Sequence, residues 1–287
     1  DAIYTVLNKH FFVRRSKKSF NSEFGVPLTI LDCPTGWNNP FIWIKNIIKG
    51  LFLILVTRPY PKWLVLEVGA DRPGDIARIT SWLPIDIAVI TYVGEVPVHV
   101  EFFESVEHLA KEKSALIQGL KSDGVLLLNG DDPRLIPMKE LAPGEVVTYG
   151  MRENNDIVAK DVAIAHEDGA PFGLEYDIVM NNVSYPVRIP GVLARHHAQT
   201  MIVGFYIATK LQIEPQTAID NLTSYTPPPG RLTLLEGIKG SHIIDDTYNA
   251  SPVAVRSGLE TLGEIQTEGI KIAMLGDMLE LGSFTAS

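Results

Sequence analysis

The sequence predicts an α/β fold in which a mostly parallel sheet is flanked by helices and carries a small antiparallel annex. Short apolar runs alternate with helical patterns through the first part of the chain, as in sheets whose strands are connected by helices. These runs are apolar on both faces, which is typical of parallel strands covered on either side. Between residues 146 and 189, short alternating strands separated by turn residues replace this pattern and indicate antiparallel hairpins.

Length and composition indicate a folded protein with more than one domain. The chain has 287 residues, of which 46% are hydrophobic and 21% charged, and it exceeds the roughly 100 to 200 residues of a usual domain. Its net charge of -9 disfavours binding to nucleic acid, which depends on phosphate neutralisation. Cys33 is the single cysteine, and no N-terminal segment has the layout of a secretory signal. We therefore expect a cytoplasmic protein, and separately we expect a monomer.

The most apolar stretch, residues 41–57, predicts an amphipathic helix. Lys45 and Lys49 interrupt it, and it is shorter than the roughly 20 residues that cross a bilayer. Its apolar residues recur at helical spacing while Asn46 and the two lysines face elsewhere. The members of this stripe are Trp43, Ile44, Ile47, Ile48, Leu51 and Phe52. Two interpretations stay open: the stripe packs into a core, or it contacts a membrane surface, which suits Trp and Lys.

The predicted parallel sheet is built from three buried strands at residues 63–68, 86–91 and 125–129. Helices are expected between these strands. The helix at 104–120 places Lys113 near its inward apolar stripe, where a lysine is unusual.

The second half of the chain contains the annex and a change of domain. Annex strands are predicted at 173–179 and 184–189, and helices at 193–211 and 215–222. The proline run at 226–230 ends the last helix and stiffens the connection, so we predict one domain at 1–229 and the beginning of another at 230–287. A strand at 242–245, a helix at 253–265 and a strand at 271–275 predict a new βαβ unit.

Three residues near the predicted strand ends are candidates for metal chemistry. Glu67 ends the first strand, and its carboxylate either caps a turn or pairs with Arg72, or it binds Mg²⁺. His99 follows the second strand, either as a surface histidine or with a metal or phosphate role. Lys113 either extends outward to pair with a carboxylate, or it is carbamylated by carbon dioxide and becomes an anionic ligand.

Several polar residues are candidates for nucleotide binding. Asn129 lies in a segment with Asp132 that reads either as a capped turn or as a contact to a base. Arg231 follows the proline run and could contact a phosphate. Asp246 and Asn249 lie in a polar segment at the end of a predicted strand. The sequence contains no Gly-Lys-Ser/Thr loop, which by itself counts against nucleotide hydrolysis.

The order of these segments resembles the Mur ligases, a family of ATP-dependent amide-forming ligases of bacterial cell-wall synthesis. The resemblance covers nearly the whole chain. The segments that carry it are 20–29, 66–70 with 73–76, 93–99, 110–113, 129–132, 229–231, 245–252 and 275–282. The last two favour the member that adds D-alanyl-D-alanine to UDP-N-acetylmuramoyl-tripeptide, over members that add another amino acid.

The resemblance implies a role for each candidate residue. The catalytic residues and Mg²⁺ ligands would be Glu67, His99 and Lys113, the last as a carbamate. The ATP contacts would be Asn129, His196, Arg231, Asp246 and Asn249, and the substrate contacts would be Asn21, Ser22 and Thr29. At residues 195–200 the family's asparagines read as His197 and Thr200, a departure from the pattern.

The resemblance also implies an arrangement of domains and a mechanism. Residues 1–229 would be the family's central ATP-binding domain without its phosphate loop, and 230–287 the start of a Rossmann-like C-terminal domain. We expect such a fragment to be inactive alone. In the whole enzyme a peptide carboxylate would attack ATP, and the resulting acyl phosphate would react with an amine. A catalytically inactive nucleotide-binding or scaffold protein of the same fold stays an alternative.

Overall fold

The computed structural model describes residues 1–17, 20–93, 103 and 105–278, and the chain forms two compact units. The amino-terminal unit comprises residues 7–128 and 132–146. The carboxy-terminal unit comprises residues 1–6, 129–131 and the chain from Val147 onward. His99 lies outside the described residues, as does the end of the 275–282 segment.

The helices and strands of the first half follow in alternation. They are α1 (Ala2–Leu7), β1 (Val13–Arg15), α2 (Gly25–Leu31), α3 (Pro40–Leu55), β2 (Trp63–Val65), α4 (Asp75–Thr80), β3 (Ile85–Ile90), α5 (Val106–Ser114) and β4 (Leu120–Asn129). Short 3₁₀ helices occupy Ala115–Gly119 and Ile136–Leu141. Strands β3 and β4 pair in parallel, as predicted for the runs at 86–91 and 125–129.

The core of the amino-terminal unit lies between β3, β4 and α5. Strand residues such as Leu126 and Leu128 are fully buried, and they pack with Leu109 and Ile117 from the helical side. The predicted helix at 104–120 is confirmed from Val106, but its last turn narrows to a 3₁₀ helix. Strand β4 then begins at Leu120 rather than at the predicted residue 125, so the connection between β3 and β4 is shorter than expected.

The predicted strand at 63–68 is shorter than expected and joins a different partner. It forms β2, which pairs in parallel with β1 in a separate two-stranded sheet. Its residues are only half-buried. An apolar run shows that a strand is covered but not which neighbour it pairs with, because pairing depends on segments distant in sequence.

Helix α3 confirms the predicted amphipathic helix but not its packing in a core. The exposed large apolar side chains of this helix are Phe41, Ile44, Ile47, Ile48, Leu51, Phe52, Ile54 and Leu55. Asn46 and Gly50 are its buried residues. The core interpretation is therefore wrong, because the helix turns its polar face inward. Among the described residues, no helix has the length and hydropathy needed to cross a membrane.

The second half contains four strands, then two helices, then two further strands and a final helix. Its elements are β5 (Glu145–Gly150), β6 (Ile157–Glu167), β7 (Ala170–Met180), β8 (Val183–Pro190), α6 (His196–Lys210), α7 (Pro215–Leu222), β9 (Thr233–Glu236), β10 (His242–Asp245) and α8 (Pro252–Glu264), with a 3₁₀ helix at Ile238–Gly240. Strands β5 and β6 are parallel, whereas β6, β7 and β8 are antiparallel. Asn181 and Asn182, both with positive φ, make the β7–β8 turn. The predicted annex is confirmed.

The predicted fold class is confirmed by the strand order β3-β4-β5-β6-β7-β8. Parallel pairs at the β3 end and antiparallel hairpins at the β8 end form this mixed sheet. Strands β4 and β5 contribute residues to both compact units.

The predicted βαβ unit near the end of the chain is only partly present. Strand β10 and helix α8 occur as expected, but β10 pairs antiparallel with β9, which was not predicted. Residues 271–275 form no strand, and Ile272 and Met274 are 73% and 92% exposed. A strand needs a neighbour to satisfy its backbone groups, and the described residues supply none to this segment.

Candidate functional site

Glu67 and Asn21 lie side by side in the amino-terminal unit. The Asn21 amide donates to the Glu67 carboxylate at 3.4 Å, and the Gly69 N–H donates to the Asn21 carbonyl at 2.9 Å. A Cβ at Gly69 would lie 2.8 Å from Asn21 Nδ2, so glycine is needed for this approach. Glu67 itself is exposed, and its N–H donates to Ser16 Oγ at 3.0 Å. The structure thus brings together two residues that were predicted for different roles.

Ser22 and Thr29 both form hydrogen bonds with the backbone of Gly25, the first residue of helix α2. The Gly25 N–H donates to Ser22 Oγ at 3.3 Å, and Thr29 Oγ1 donates to the Gly25 carbonyl at 3.0 Å. Thr29 is buried. Each hydroxyl has a local structural partner, and their role as substrate contacts stays a prediction.

Lys113 projects from α5 and donates from Nζ to the backbone carbonyl of Tyr92, which follows β3. Burial lowers the pKa of Lys113, and the negative charge of Asp132 opposes this shift. Desolvation favours the neutral amine over the ammonium. The neutral amine is the form that attacks carbon dioxide, so the setting of Lys113 is compatible with a carbamate.

Asp132 is a structural residue of the same unit. Its carboxylate is almost fully buried and accepts from the Val93 N–H at 3.0 Å and the Arg134 N–H at 3.1 Å. The Arg134 guanidinium lies 3.4 Å away. These bonds attach the end of β3 to the turn after β4, so the capped-turn interpretation is correct for Asp132.

Glu112, next to Lys113, was not predicted to have a role. Its side chain is buried and its two oxygens accept from the backbone N–H groups of Gly74 at 2.7 Å and Ile76 at 2.8 Å. It therefore caps the first turn of α4 from outside the helix. The sequence does contain a signal for this role, because Glu112 lies three residues after Leu109 and therefore beside the inward apolar stripe of α5.

The amino-terminal unit contains oxygen ligands of the type that Mg²⁺ prefers. Glu67 offers an exposed carboxylate beside an amide, and a carbamate on Lys113 would add two oxygens. Within the described ranges, no three His, Cys, Asp or Glu side chains are grouped closely enough to hold a metal. The expected ligand His99 lies outside those ranges.

In the carboxy-terminal unit, Asp131 connects the loop after β4 to α6. Its carboxylate accepts from the Met151 N–H at 2.6 Å, the Arg152 N–H at 3.1 Å and the Asn155 amide at 2.9 Å. The Gln199 amide from α6 adds a fourth bond at 2.8 Å. Sequence reasoning missed this role, because the four donors come from distant segments.

Asn129, the predicted base contact, is buried and its side-chain oxygen accepts from the Asp131 N–H at 3.0 Å. This bond makes an Asx turn, in which an Asn side chain bonds a backbone N–H two residues on. The turn and base-contact interpretations are compatible, since the amide N–H₂ group takes no part in this bond.

His196 and His197 begin α6 with stacked rings whose centroids are 4.7 Å apart. His197 Nδ1 lies 3.2 Å from the Tyr225 hydroxyl, and its Nε2 is buried without a hydrogen-bond partner among the described residues. Burial lowers the pKa of His197 from 6.5 to about 3, and the neighbouring His196 adds to this effect. Burial therefore favours the neutral form of the His197 ring.

Arg231 lies beside the polar segment that follows β10. Its guanidinium stacks on the Tyr248 ring at 4.3 Å, and the Tyr248 N–H donates to the Gly230 carbonyl at 3.1 Å. Gly230 has a φ of 72°, and a Cβ there would lie 2.7 Å from Tyr248 N. Burial and the charge of Arg231 both lower the pKa of His196. The structure thus brings two predicted ATP-contact residues, Arg231 and His196, close enough for their charges to interact.

Asp246 and Asn249 flank Tyr248 in the same segment. Burial raises the pKa of Asp246, whereas the Leu232 backbone and the Arg231 charge oppose the shift. The Asn249 side-chain oxygen accepts from the Ala250 N–H at 2.9 Å. Asp246 therefore interacts electrostatically with Arg231, whereas Asn249 stabilises the local backbone. Neither arrangement tests their predicted ATP contacts.

Comparisons with known proteins find relatives over nearly the whole chain. Residues 46–208 match the family model described as Mur ligase middle domain. A Bacillus subtilis relative, UDP-N-acetylmuramoyl-tripeptide--D-alanyl-D-alanine ligase, is 29% identical over 98% of this chain and 54% of its own length. A relative of the same name from Mycobacterium bovis is 30% identical over 92% of this chain and 47% of its own. The chain spans about half the length of these curated relatives.

Solved structures show the same fold. The MurF ligase of Thermotoga maritima in complex with ADP superposes with a TM-score of 0.71 and 26% identity, covering 92% of this chain and 53% of that one. MurF from Acinetobacter baumannii has a TM-score of 0.78 over 99% of this chain and 55% of that one, at 21% identity, and shows the fold alone. With more than half of its residues matched to the middle-domain model, this chain belongs to the Mur ligase family.

Proposed function

We propose that the protein containing this chain is an ATP-dependent ligase that joins D-alanyl-D-alanine to UDP-N-acetylmuramoyl-tripeptide in peptidoglycan precursor synthesis. The observation that carries this proposal is the Bacillus subtilis relative of that name, whose similarity extends over 98% of the chain. We place the reaction in the cytoplasm, in a monomer, with residues 1–229 as the ATP-binding domain and 230–287 as the start of the next.

The proposed reaction has two steps. The peptide carboxylate first attacks the γ-phosphorus of ATP, which forms an acyl phosphate and releases ADP. The amine of D-alanyl-D-alanine then attacks the acyl carbon, and phosphate leaves with the bond electrons while the amine loses a proton. Phosphorylation is needed because a carboxylate is a poor acylating agent at neutral pH. Positioning and charge stabilisation are what a protein contributes to such a transfer.

Glu67, His99 and carbamylated Lys113 are the proposed ligands for Mg²⁺, which would offset charge on the transferred phosphoryl group. The contact between the Asn21 amide and Glu67 supports this assignment, since it orients the carboxylate. Asn21 itself, with Ser22 and Thr29, is also a proposed substrate contact.

The proposed ATP contacts are in the carboxy-terminal unit. Asn129 would read the base with its amide, and Arg231 would contact phosphate with His196 beside it. The position of the Arg231 guanidinium over the Tyr248 ring supports this role, because the contact helps to hold the long side chain in place. The remaining proposed contacts, Asp246 and Asn249, lie on the same segment as Tyr248.

The test is phosphate release by the full-length protein with ATP, Mg²⁺ and UDP-N-acetylmuramoyl-tripeptide. We expect release only when D-alanyl-D-alanine is added. Equal release with another amino component would assign a different Mur-type ligase, and no release with any component would favour the inactive scaffold.

The metal assignment is tested with Glu67→Gln in the same assay. We expect a loss of about 100-fold or more in turnover, because a charged ligand becomes neutral. Glu268→Gln, which neutralises another exposed carboxylate, is the matched control and should keep full activity.

A further inference from the structure

Helix α3 presents a broad apolar face on the surface of the amino-terminal unit. Its exposed residues at 44, 47, 48, 51, 52, 54 and 55 are all large and apolar, and Ile54 and Leu55 are 82% and 80% exposed. Trp37, just before the helix, is also 82% exposed. Scattered exposed apolar residues are ordinary, but a continuous patch of this kind marks an interaction surface.

The orientation of α3 is set by polar contacts on its opposite face. Asn46 Nδ2 donates to the Pro34 carbonyl at 2.8 Å, and Lys49 Nζ donates to the Asp32 carbonyl and lies 3.6 Å from its carboxylate. Gly50 is buried, and a Cβ there would contact Leu31 at 3.5 Å. Rotating the helix to bury its apolar face would break all of these contacts. The outward apolar face is therefore built into the fold.

The charge around this face is positive, although the chain as a whole carries -9. Lys45 is exposed on the helix and Arg58 follows it, and residues 33–66 contain no Asp or Glu. Lys49 lies on the opposite face and is paired with Asp32. The Arg58 guanidinium stacks on the exposed Phe52 ring at 4.6 Å, which places a cation directly beside the apolar face. A second copy of this chain would bring two cationic surfaces together, so self-association is disfavoured.

We propose that α3 is a peripheral membrane anchor that lies in the interface of an anionic lipid bilayer. An apolar helix face with tryptophan and a basic border is the pattern of helices that insert at the headgroup boundary. The 16 residues of α3 extend about 24 Å at the usual helical rise, which is shorter than the roughly 30 Å apolar thickness of a bilayer. The helix thus lies along the surface. This anchor is independent of the ligase reaction.

The test is co-sedimentation of the full-length protein with phosphatidylcholine vesicles that contain about 30% phosphatidylglycerol or none. We expect binding to the anionic vesicles that weakens as salt is raised. Ile47→Asp with Leu51→Asp should reduce the affinity at least about tenfold, since two apolar contacts are replaced by charges. The matched control is Val183→Asp with Ile238→Asp, which alters two exposed apolar residues outside α3 and should bind normally.

A second variant separates lipid binding from folding. Lys45→Glu leaves every apolar side chain of α3 unchanged and alters one exposed charge. It should weaken binding to anionic vesicles about fivefold, with little effect on neutral ones. Three results would each overturn the proposal: no vesicle binding by the wild-type protein at low salt, equal binding by the Ile47/Leu51 variant, or a dimer in light scattering that this variant dissolves.

Discussion

Removing the carboxylate of Glu112 tests how α5 and α4 are joined. Glu112→Ala leaves two backbone N–H groups without their charged acceptor, those of Gly74 and Ile76. Gly74 is half-exposed and water can reach its N–H, whereas Ile76 is buried and its N–H has no replacement. A buried unsatisfied donor costs about 1 to 3 kcal/mol, and loss of a helix cap about 1 kcal/mol. We therefore expect a loss of about 3 kcal/mol in the free energy of unfolding.

The measurement is urea unfolding followed by circular dichroism, with Glu112→Gln and Glu107→Ala beside it. Glutamine keeps one acceptor oxygen, so it should lose about half as much stability. Glu107 is exposed at the start of the same helix, so its removal should cost less stability than the removal of Glu112. If Glu112→Ala loses no more stability than the Glu107 variant, the two hydrogen bonds do not join these helices and the reasoning is wrong.

Three further predictions concern the clusters described above. Burial lowers the pKa of His197 to about 3, so between about pH 6.5 and 3 the unfolded state binds more protons than the folded state. The free energy of unfolding should therefore fall as the pH drops through this range, by up to about 1.4 kcal/mol per pH unit. His197→Gln should flatten this part of the stability profile. Gly69→Ala should displace the Asn21 amide and lower turnover with little change in melting temperature, and a wild-type rate would contradict the proposed contact. Asp131→Ala leaves four donors without an acceptor and should cost about 3 kcal/mol or more in urea unfolding, whereas a loss below 1 kcal/mol would show that they pair elsewhere.

Much of the fold could be predicted because burial leaves a periodic signal. The runs that became β3 and β4 are apolar on both faces, and α7 begins at a proline that suits a first helical turn. Residues 271–275 gave the same apolar signal without forming a strand, because an apolar run does not provide its own partner.

The orientation of α3 could not be read from its periodicity. The stripe shows which residues share a face but not which face meets the body of the protein. That choice depends on the carbonyl groups of Pro34 and Asp32, which accept bonds from the polar side of the helix. Backbone acceptors in a loop leave no pattern in the sequence.

The candidate site was predictable by residue type but not by pairing. Glu67 stood out as a carboxylate at a strand end, yet its contact with Asn21 joins segments 46 residues apart. Asp131 and Glu112 escaped notice because their partners are backbone N–H groups and amides, which any sequence offers. Such contacts are visible only once the chain has folded.

The contact between Arg231 and Tyr248 affects how the guanidinium would bind an anion. A guanidinium exposes its N–H groups along its edge, so a ring against its face leaves that edge unobstructed. Contact with the Tyr248 ring restricts the long side chain before a ligand binds, so less rotamer entropy is lost on binding. A lysine here would keep the charge but not the plane. In the proposed phosphate contact, the arginine would therefore discriminate by direction as well as by sign, favouring a pair of oxygen atoms that approaches along its edge.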